Sequence, residues 1–277
     1  MKIDSTSLIS HRFRGFSDHE NTIDGLNAAL DFGVAYVEFD IRVAKCGTPM
    51  IYHDEQAKDR RGQHRLLCDY MARDYTRLGG AFSYMPRAEA LFHAIGQHPN
   101  TTTRFLIDIK DAGFETEIHA LVSLCRLQDH VSYVTWVPNV LYRMAEIAPH
   151  IPLCLSHWCQ SPSAKTRKIH TVHNAKGGHV PQLSHDYIHG DRSGWYLDHP
   201  LRGELLKIIK ESGRDDWKGA VCVPQNMVTQ DLVAYYHSAG LEVSTFSYLD
   251  WDHIRDHKDR YNIDLFFIDN KTVFDEA

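Results

Sequence analysis

The chain has 277 residues, 43% of them hydrophobic, which suits one large domain or two small ones. A formal net charge of −6 argues against a nucleic-acid binder that works through overall charge, and an anionic substrate would need local cations to hold it. The opening MKIDSTSLIS has no apolar signal core, no window is long enough to span a bilayer, and the six cysteines are scattered without metal-ligand spacing. A reduced, cytoplasmic protein without stable membrane association is therefore expected.

In chain order, β-rich runs are expected at residues 7–10, 36–43, 104–110, 131–137, 152–156, 220–223, 241–248 and 264–269, with a short extra run at 50–53 after the Gly47-Thr48-Pro49 turn. Helical patterns fall at 21–32, 115–127, 139–148, 201–211 and 228–238. The first should stop before Gly33, and Ser238-Ala239-Gly240 reads as a C-terminal stop. Strands alternating with helices predict an α/β fold, and their number fits a closed (β/α)8 barrel over residues 1–277 as a single domain. The connections at 55–103 and 157–219 are long enough to carry function or small elements of their own. The second is rich in His170, His173, His179, His185, His189, Trp195 and Tyr196. It follows the fifth strand, so it reads as a lid insertion over the C-terminal face, with an ordinary polar loop as the alternative.

In such a barrel the active site lies at the C-terminal strand ends. The first strand ends in His11-Arg12. In YVEFDIRV, alternation puts Glu38 and Asp40 on one face and Val37, Phe39 and Ile41 on the other. In RFLIDIK, Asp108 and Lys110 share a face in the same way, and the short run ends in His53-Asp54. Two carboxylates side by side in a buried strand repel and need neutralising, either by a metal or by Arg and Lys. Three carboxylates with no thiol nearby suit one hard divalent cation, Mg²⁺ or Ca²⁺. His11 and His53 suit proton transfer near neutral pH, and Arg12 and Lys110 suit a phosphate. The combination reads as a phosphoester site, with metal and cations on the oxyanion and the histidines moving protons.

At these residues the sequence resembles the glycerophosphodiester phosphodiesterase family. That family shows His-Arg-Gly, Pro-Glu-Asn-Thr, Glu-x-Asp, Asp-Gly-x-x-Val and His-Asp in order. Here stand His11-Arg12, Glu20-Asn21-Thr22, Glu38-Phe39-Asp40, Gly47-Thr48-Pro49-Met50 and His53-Asp54. LIDIK resembles the family's Glu-Ile-Lys strand, and DLFFIDN its last strand. The resemblance implies a metal-dependent phosphodiesterase on a (β/α)8 barrel, whose partner would be a small anionic phosphodiester. His11 and His53 would be acid and base, Glu38, Asp40 and Asp108 the metal ligands, and Arg12 and Lys110 the phosphate-binding cations. Glu20 would fix the first loop and start the first helix. Phe13 stands where the family has Gly, so the loop is expected to bend at Gly15 instead; His19 replaces Pro, Cys46 replaces Asp, and Asp108 replaces a longer Glu. These departures mark a divergent member. Two rival readings are a phosphodiester transferase or lyase, like spider-toxin phospholipases D or the sugar-phosphodiester enzymes of opine metabolism, and a non-catalytic binding protein.

Overall fold

The computed structural model describes residues 5–156, 201 and 203–277, together with the backbone of four short strands between 171 and 197. Eight parallel strands form the centre: β1 (Leu8–His11), β2 (Tyr36–Val43), β3 (Arg104–Ile109), β4 (Val131–Thr135), β5 (Leu153–Ser156), β6 (Ala220–Pro224), β7 (Glu242–Tyr248) and β8 (Leu265–Ile268). Each pairs with the next, and β8 pairs back onto β1 with Leu8 opposite Phe266 and Ser10 opposite Ile268. The expected (β/α)8 barrel is therefore closed. Around it run α1 (Ile23–Phe32), α2 (Ala88–Gln97), α3 (Glu115–Leu124), α4 (Pro138–Ile147), α5 (Gly203–Glu211), α6 (Gln230–Ser238), α7 (Trp251–Tyr261) and the single turn α8 (Thr272–Asp275).

Alternation along the strands builds two cores. Val37, Phe39, Ile41 and Val43 of β2 pack outward with Leu26 of α1 and with Leu91 and Phe92 of α2. Ile9, Leu106, Val134, Cys154, Cys222, Leu265 and Phe267 fill the barrel interior. Each large side chain so buried contributes roughly 1.5–3 kcal/mol. A hairpin, Gly213–Arg214 with Trp217–Lys218, closes the N-terminal end of the barrel. Its Trp217 lies 6.2 Å from the Tyr36 ring, under the Arg104 guanidinium at 4.9 Å. Tyr36 and Arg104 begin β2 and β3. With that end plugged, the polar residues of β1–β3 are left at the other, open end.

Helix α1 starts where the Thr22 hydroxyl accepts the Gly25 N–H and stops at Gly33 (φ 83°), whose N–H reaches Ala29 and Leu30. Thr22, rather than Glu20, is thus the cap. The loop before it, carrying Arg12, differs from expectation. Arg12 and Phe13 themselves take left-handed conformations (φ 58° and 61°), together with Gly15 (φ 81°). Such a backbone costs about 1–2 kcal/mol at a non-glycine residue. Phe13 offsets this by complete burial, its ring 6.1 Å from that of Phe39. The close approach needs a glycine opposite, since a Cβ on Gly25 would stand 2.9 Å from the Phe13 Cβ.

The 55–103 connection holds a hairpin (Gln56–Lys58 with His64–Leu66), a small core including Leu67, Tyr75 and Phe82, and the barrel helix α2. Within 157–219, residues 203–218 form α5 and the closing hairpin. The side chains of His170, His173, His179, His185, His189, Trp195 and Tyr196 lie outside the described residues. Around them the backbone pairs Thr171–His173 with His179–Pro181 and Tyr187–His189 with Trp195–Leu197.

Candidate active site

All seven residues singled out from the sequence gather at the C-terminal mouth. His11 ends β1 and Arg12 follows it; Glu38 and Asp40 lie in β2; Asp108 lies near the end of β3 and Lys110 just after it. His53 follows, two residues on, the short antiparallel strand Pro49–Ile51, which pairs with β2. His11, Arg12, Glu38, His53, Asp108 and Lys110 line one side of a cavity of about 130 Å³, joined by Arg42. Val134, Trp136, Ser156, Cys222, Phe246 and Phe267 line the other side.

Asp40 is 0% exposed and sits behind this surface. Its Oδ2 accepts from Asn21 Nδ2 at 2.9 Å and lies 3.2 Å from Arg12 Nε, and its Oδ1 lies 3.1 Å from Lys110 Nζ. Lys110 also donates to Asp108 Oδ2 at 2.5 Å. Burial opposes ionisation of Asp40, but Lys110 and Arg12 outweigh it and hold the carboxyl well below its usual range. Burial likewise pulls Lys110 down, yet Asp108 and Asp40 leave it raised and charged. Glu38 has the opposite balance. Burial, followed by the charge of Asp40, pushes it well above the ordinary carboxylate value. Asp108 is raised by burial against the pull of Lys110.

The repulsion between the β2 acids is thus relieved only in part by cations. Glu38 Oε2 and Asp108 Oδ1 are buried without a hydrogen-bond partner, Asp40 Oδ1 meets the Lys110 ammonium alone, and one oxygen from each acid lies within 4.8 Å of the others. A hard cation fits this all-oxygen set; it would satisfy the two orphan acceptors of Glu38 and Asp108 at once.

The two histidines flank the acids. His11 Nε2 stands 3.8 Å from Glu38 Oε2, and its Nδ1 lies 2.6 Å from Asp269 Oδ1. Burial depresses the His11 imidazole to about 4, against the opposing pull of Asp269. His53 Nδ1 lies 2.6 Å from Asp54 Oδ1, while its backbone carbonyl accepts from Arg42 Nε at 2.9 Å. Burial and then the Lys110 charge lower its imidazole too. Arg42 is held by Asp111, whose Oδ1 accepts from Nη1 at 2.8 Å and whose Oδ2 accepts the Val43 N–H at 2.7 Å.

Sequence reasoning missed Asp269, Arg14, Ser247 and Arg42. Asp269 follows β8 in the same alternation that points Leu265 and Phe267 inward, so DLFFIDN carried a readable signal. Glu20 fixes the first loop as expected: it accepts from Arg14 Nε at 2.7 Å and from Arg12 Nη1 at 3.4 Å.

A model of the glycerophosphoryl diester phosphodiesterase family matches residues 9–271. Among solved structures, the Oleispira antarctica phosphodiesterase in complex with the product sn-glycerol-3-phosphate aligns with a TM-score of 0.66 at 17% identity, covering 98% of this chain and 95% of that one. A glycerophosphodiester phosphodiesterase from Parabacteroides distasonis aligns with a TM-score of 0.66 at 14% identity, over 97% and 94%. One from Agrobacterium tumefaciens aligns with a TM-score of 0.62 at 15% identity, over 98% and 99%. At such identities these likenesses speak to the fold. A glycerophosphocholine phosphodiesterase of Eremothecium gossypii is 38% identical over 58 residues, a match spanning 18% of this chain and 4% of that protein's length.

Proposed function

We propose, because the chain belongs to the glycerophosphoryl diester phosphodiesterase family, that it hydrolyses a glycerophosphodiester or a related sugar or alcohol phosphodiester to a phosphomonoester and an alcohol. The observation that carries this reading is the cluster of Glu38, Asp40 and Asp108, one oxygen of each within 4.8 Å of the others and those of Glu38 and Asp108 left without a donor, set between two histidines and the Arg12 and Lys110 cations. Glu38, Asp40 and Asp108 would hold one divalent cation, Mg²⁺ or Ca²⁺, whose charge polarises a phosphate oxygen. Arg12 and Lys110 bind the phosphate and share its growing charge. One of His11 and His53 takes a proton from water as its oxygen bonds to phosphorus. The other gives a proton to the alcohol oxygen as the second phosphorus–oxygen bond breaks. The free thiols among the described residues, Cys46, Cys68, Cys125, Cys154 and Cys222, suit a reducing, cytoplasmic setting. No described helix is long and apolar enough to cross a membrane.

The test is turnover of glycero- and sugar-phosphodiesters with Mg²⁺ or Ca²⁺. His11→Ala and His53→Ala should each abolish turnover and leave metal binding, read by calorimetry, largely intact. Wild-type rates in both variants would sink the assignment. The apolar wall of Trp136, Phe246 and Phe267 favours a second reading, transfer to a hydroxyl with water excluded. Isotopically labelled water decides: hydrolysis labels the phosphomonoester, whereas transfer or arrest at a cyclic phosphate leaves the phosphate unlabelled.

A further inference from the structure

The two His–Asp pairs are built differently. Asp54 follows His53 directly in the chain, and its side chain is 67% exposed. Asp269 comes from the far end of the chain, is 14% exposed, and has both oxygens engaged. Its Oδ1 takes His11 Nδ1 at 2.6 Å; its Oδ2 accepts from Ser247 Oγ at 2.6 Å and lies 2.8 Å from Arg14 Nη1. Each tether is itself held. Gln225 Nε2 donates to the Ser247 carbonyl at 2.8 Å, and Arg14 Nε donates to Glu20 at 2.7 Å. The carboxylate therefore cannot turn without breaking two further contacts.

A carboxylate only accepts, so the 2.6 Å contact requires the proton on His11 Nδ1. In the neutral ring this leaves the lone pair on Nε2. That atom is 3.8 Å from Glu38 Oε2, beyond hydrogen-bond range, so its lone pair is not spent there. The ring plane is set as well: Phe267 meets it edge-on at 5.4 Å and 89°.

We propose that Asp269, clamped by Ser247 and Arg14, is a positioning residue that fixes His11 in the Nδ1–H tautomer, with Nε2 presented to the cavity as the proton acceptor. The inference rests on the hydrolytic reading above and makes His11 the base and His53 the acid. Asp269 touches no reacting atom; it acts through the imidazole. Through Arg14 and Glu20 it is also tied to Arg12, so the cation that meets the phosphate and the group that aims the base share one set of contacts.

The test reads the tautomer directly, by long-range proton–nitrogen correlation of the histidine rings in the ¹⁵N-labelled full chain, with the His11 signal assigned by its loss in His11→Ala. Wild type should show Nδ1–H. Asp269→Asn keeps the shape but offers an amide N–H to Nδ1, so the proton should move to Nε2. The same variant should lose roughly 100-fold or more in kcat while KM changes less than about threefold, by analogy with the Asp→Asn change in a serine-protease triad. Ser247→Ala, which removes one tether and leaves Asp269 in place, should lower kcat by about three- to tenfold at unchanged KM. An Nε2–H ring in wild type would overturn the proposal. So would an unmoved tautomer in Asp269→Asn, or a kcat that neither variant alters. If no phosphodiester is turned over, the hydrolytic reading fails while the spectrum still decides the tautomer.

Discussion

The mouth of the barrel is made of two unlike arcs. From β1 to β3 it presents His11, Arg12, Glu38, Arg42, Asp108 and Lys110; from β4 to β8 it presents Val134, Trp136, Ser156, Cys222, Phe246 and Phe267. The first arc carries the charge, and most of its charges are spent on one another. The second carries little polarity, and a wall of low polarity strengthens the charge interactions beside it. The depressed proton affinities of His11 and His53, set first by burial, are one visible consequence. The charged arc supplies the chemistry, and the apolar arc supplies the low dielectric in which that chemistry is effective.

Four experiments would break or sharpen this contrast. The largest effect is expected on the charged side. Lys110→Met leaves Asp40 and Asp108 without their shared ammonium and should cost about 4 kcal/mol in denaturant unfolding, the range for one partner removed from a buried ion pair. A loss under 1 kcal/mol would mean the arc is not held by mutual pairing. On the apolar side, Trp136→Ala should cost about 3 kcal/mol through the void it leaves, and should raise KM more than it lowers kcat. Equal losses in kcat would place Trp136 with the chemistry instead. Divalent cation is the third probe. At about 100 times its Kd, Mg²⁺ or Ca²⁺ should stabilise the protein by about 2.7 kcal/mol, and Glu38→Gln should remove most of that gain.

The smallest effect lies outside both arcs, at His257. Its Nδ1 meets the Tyr248 hydroxyl at 2.8 Å, and burial followed by the His253 charge lowers its pKa below the ordinary value of 6.5. The unfolded chain therefore binds this proton more readily, so stability should rise with pH below about 6.5 and level off above it. His257→Gln should reduce that slope in urea midpoints measured between about pH 5 and pH 7, the remainder coming from His11 and His53, with turnover at neutral pH unchanged. A variant whose midpoints track wild type across that range would remove His257 from the account.

The eight strands were legible because runs such as YVEFDIRV and RFLIDI combine β-branched residues with alternating polarity. Two full barrel helices, and the single turn α8, were not read. Helix α2 begins after Arg87, which makes no side-chain cap, so no start signal announces it inside a long connection. Helix α7, WDHIRDHKDRY, fully buries only Ile254 and His257, and its apolar face is a sparse stripe of Trp251, Ile254 and Tyr261 among charged residues. The left-handed Phe13 was unreadable for another reason: its compensation is burial against Phe39 and room made by Gly25, both distant in sequence.

The sequence by itself determined the half of the site that lies on consecutive strand ends. Glu38, Asp40, Asp108 and Lys110 face inward because a strand has period two, and His11 and Arg12 follow because they end a strand. Only the tertiary structure decided how those groups divide the work. Closure of β8 onto β1 brings Asp269 to His11 across 258 residues of chain. Folding the first loop back brings Arg12 to Asp40, which leaves Glu38 the acid whose charge is least compensated. Alternation along one strand is a local rule and can be read from spacing. Which cation reaches which carboxylate depends on distances that exist only once the barrel has closed.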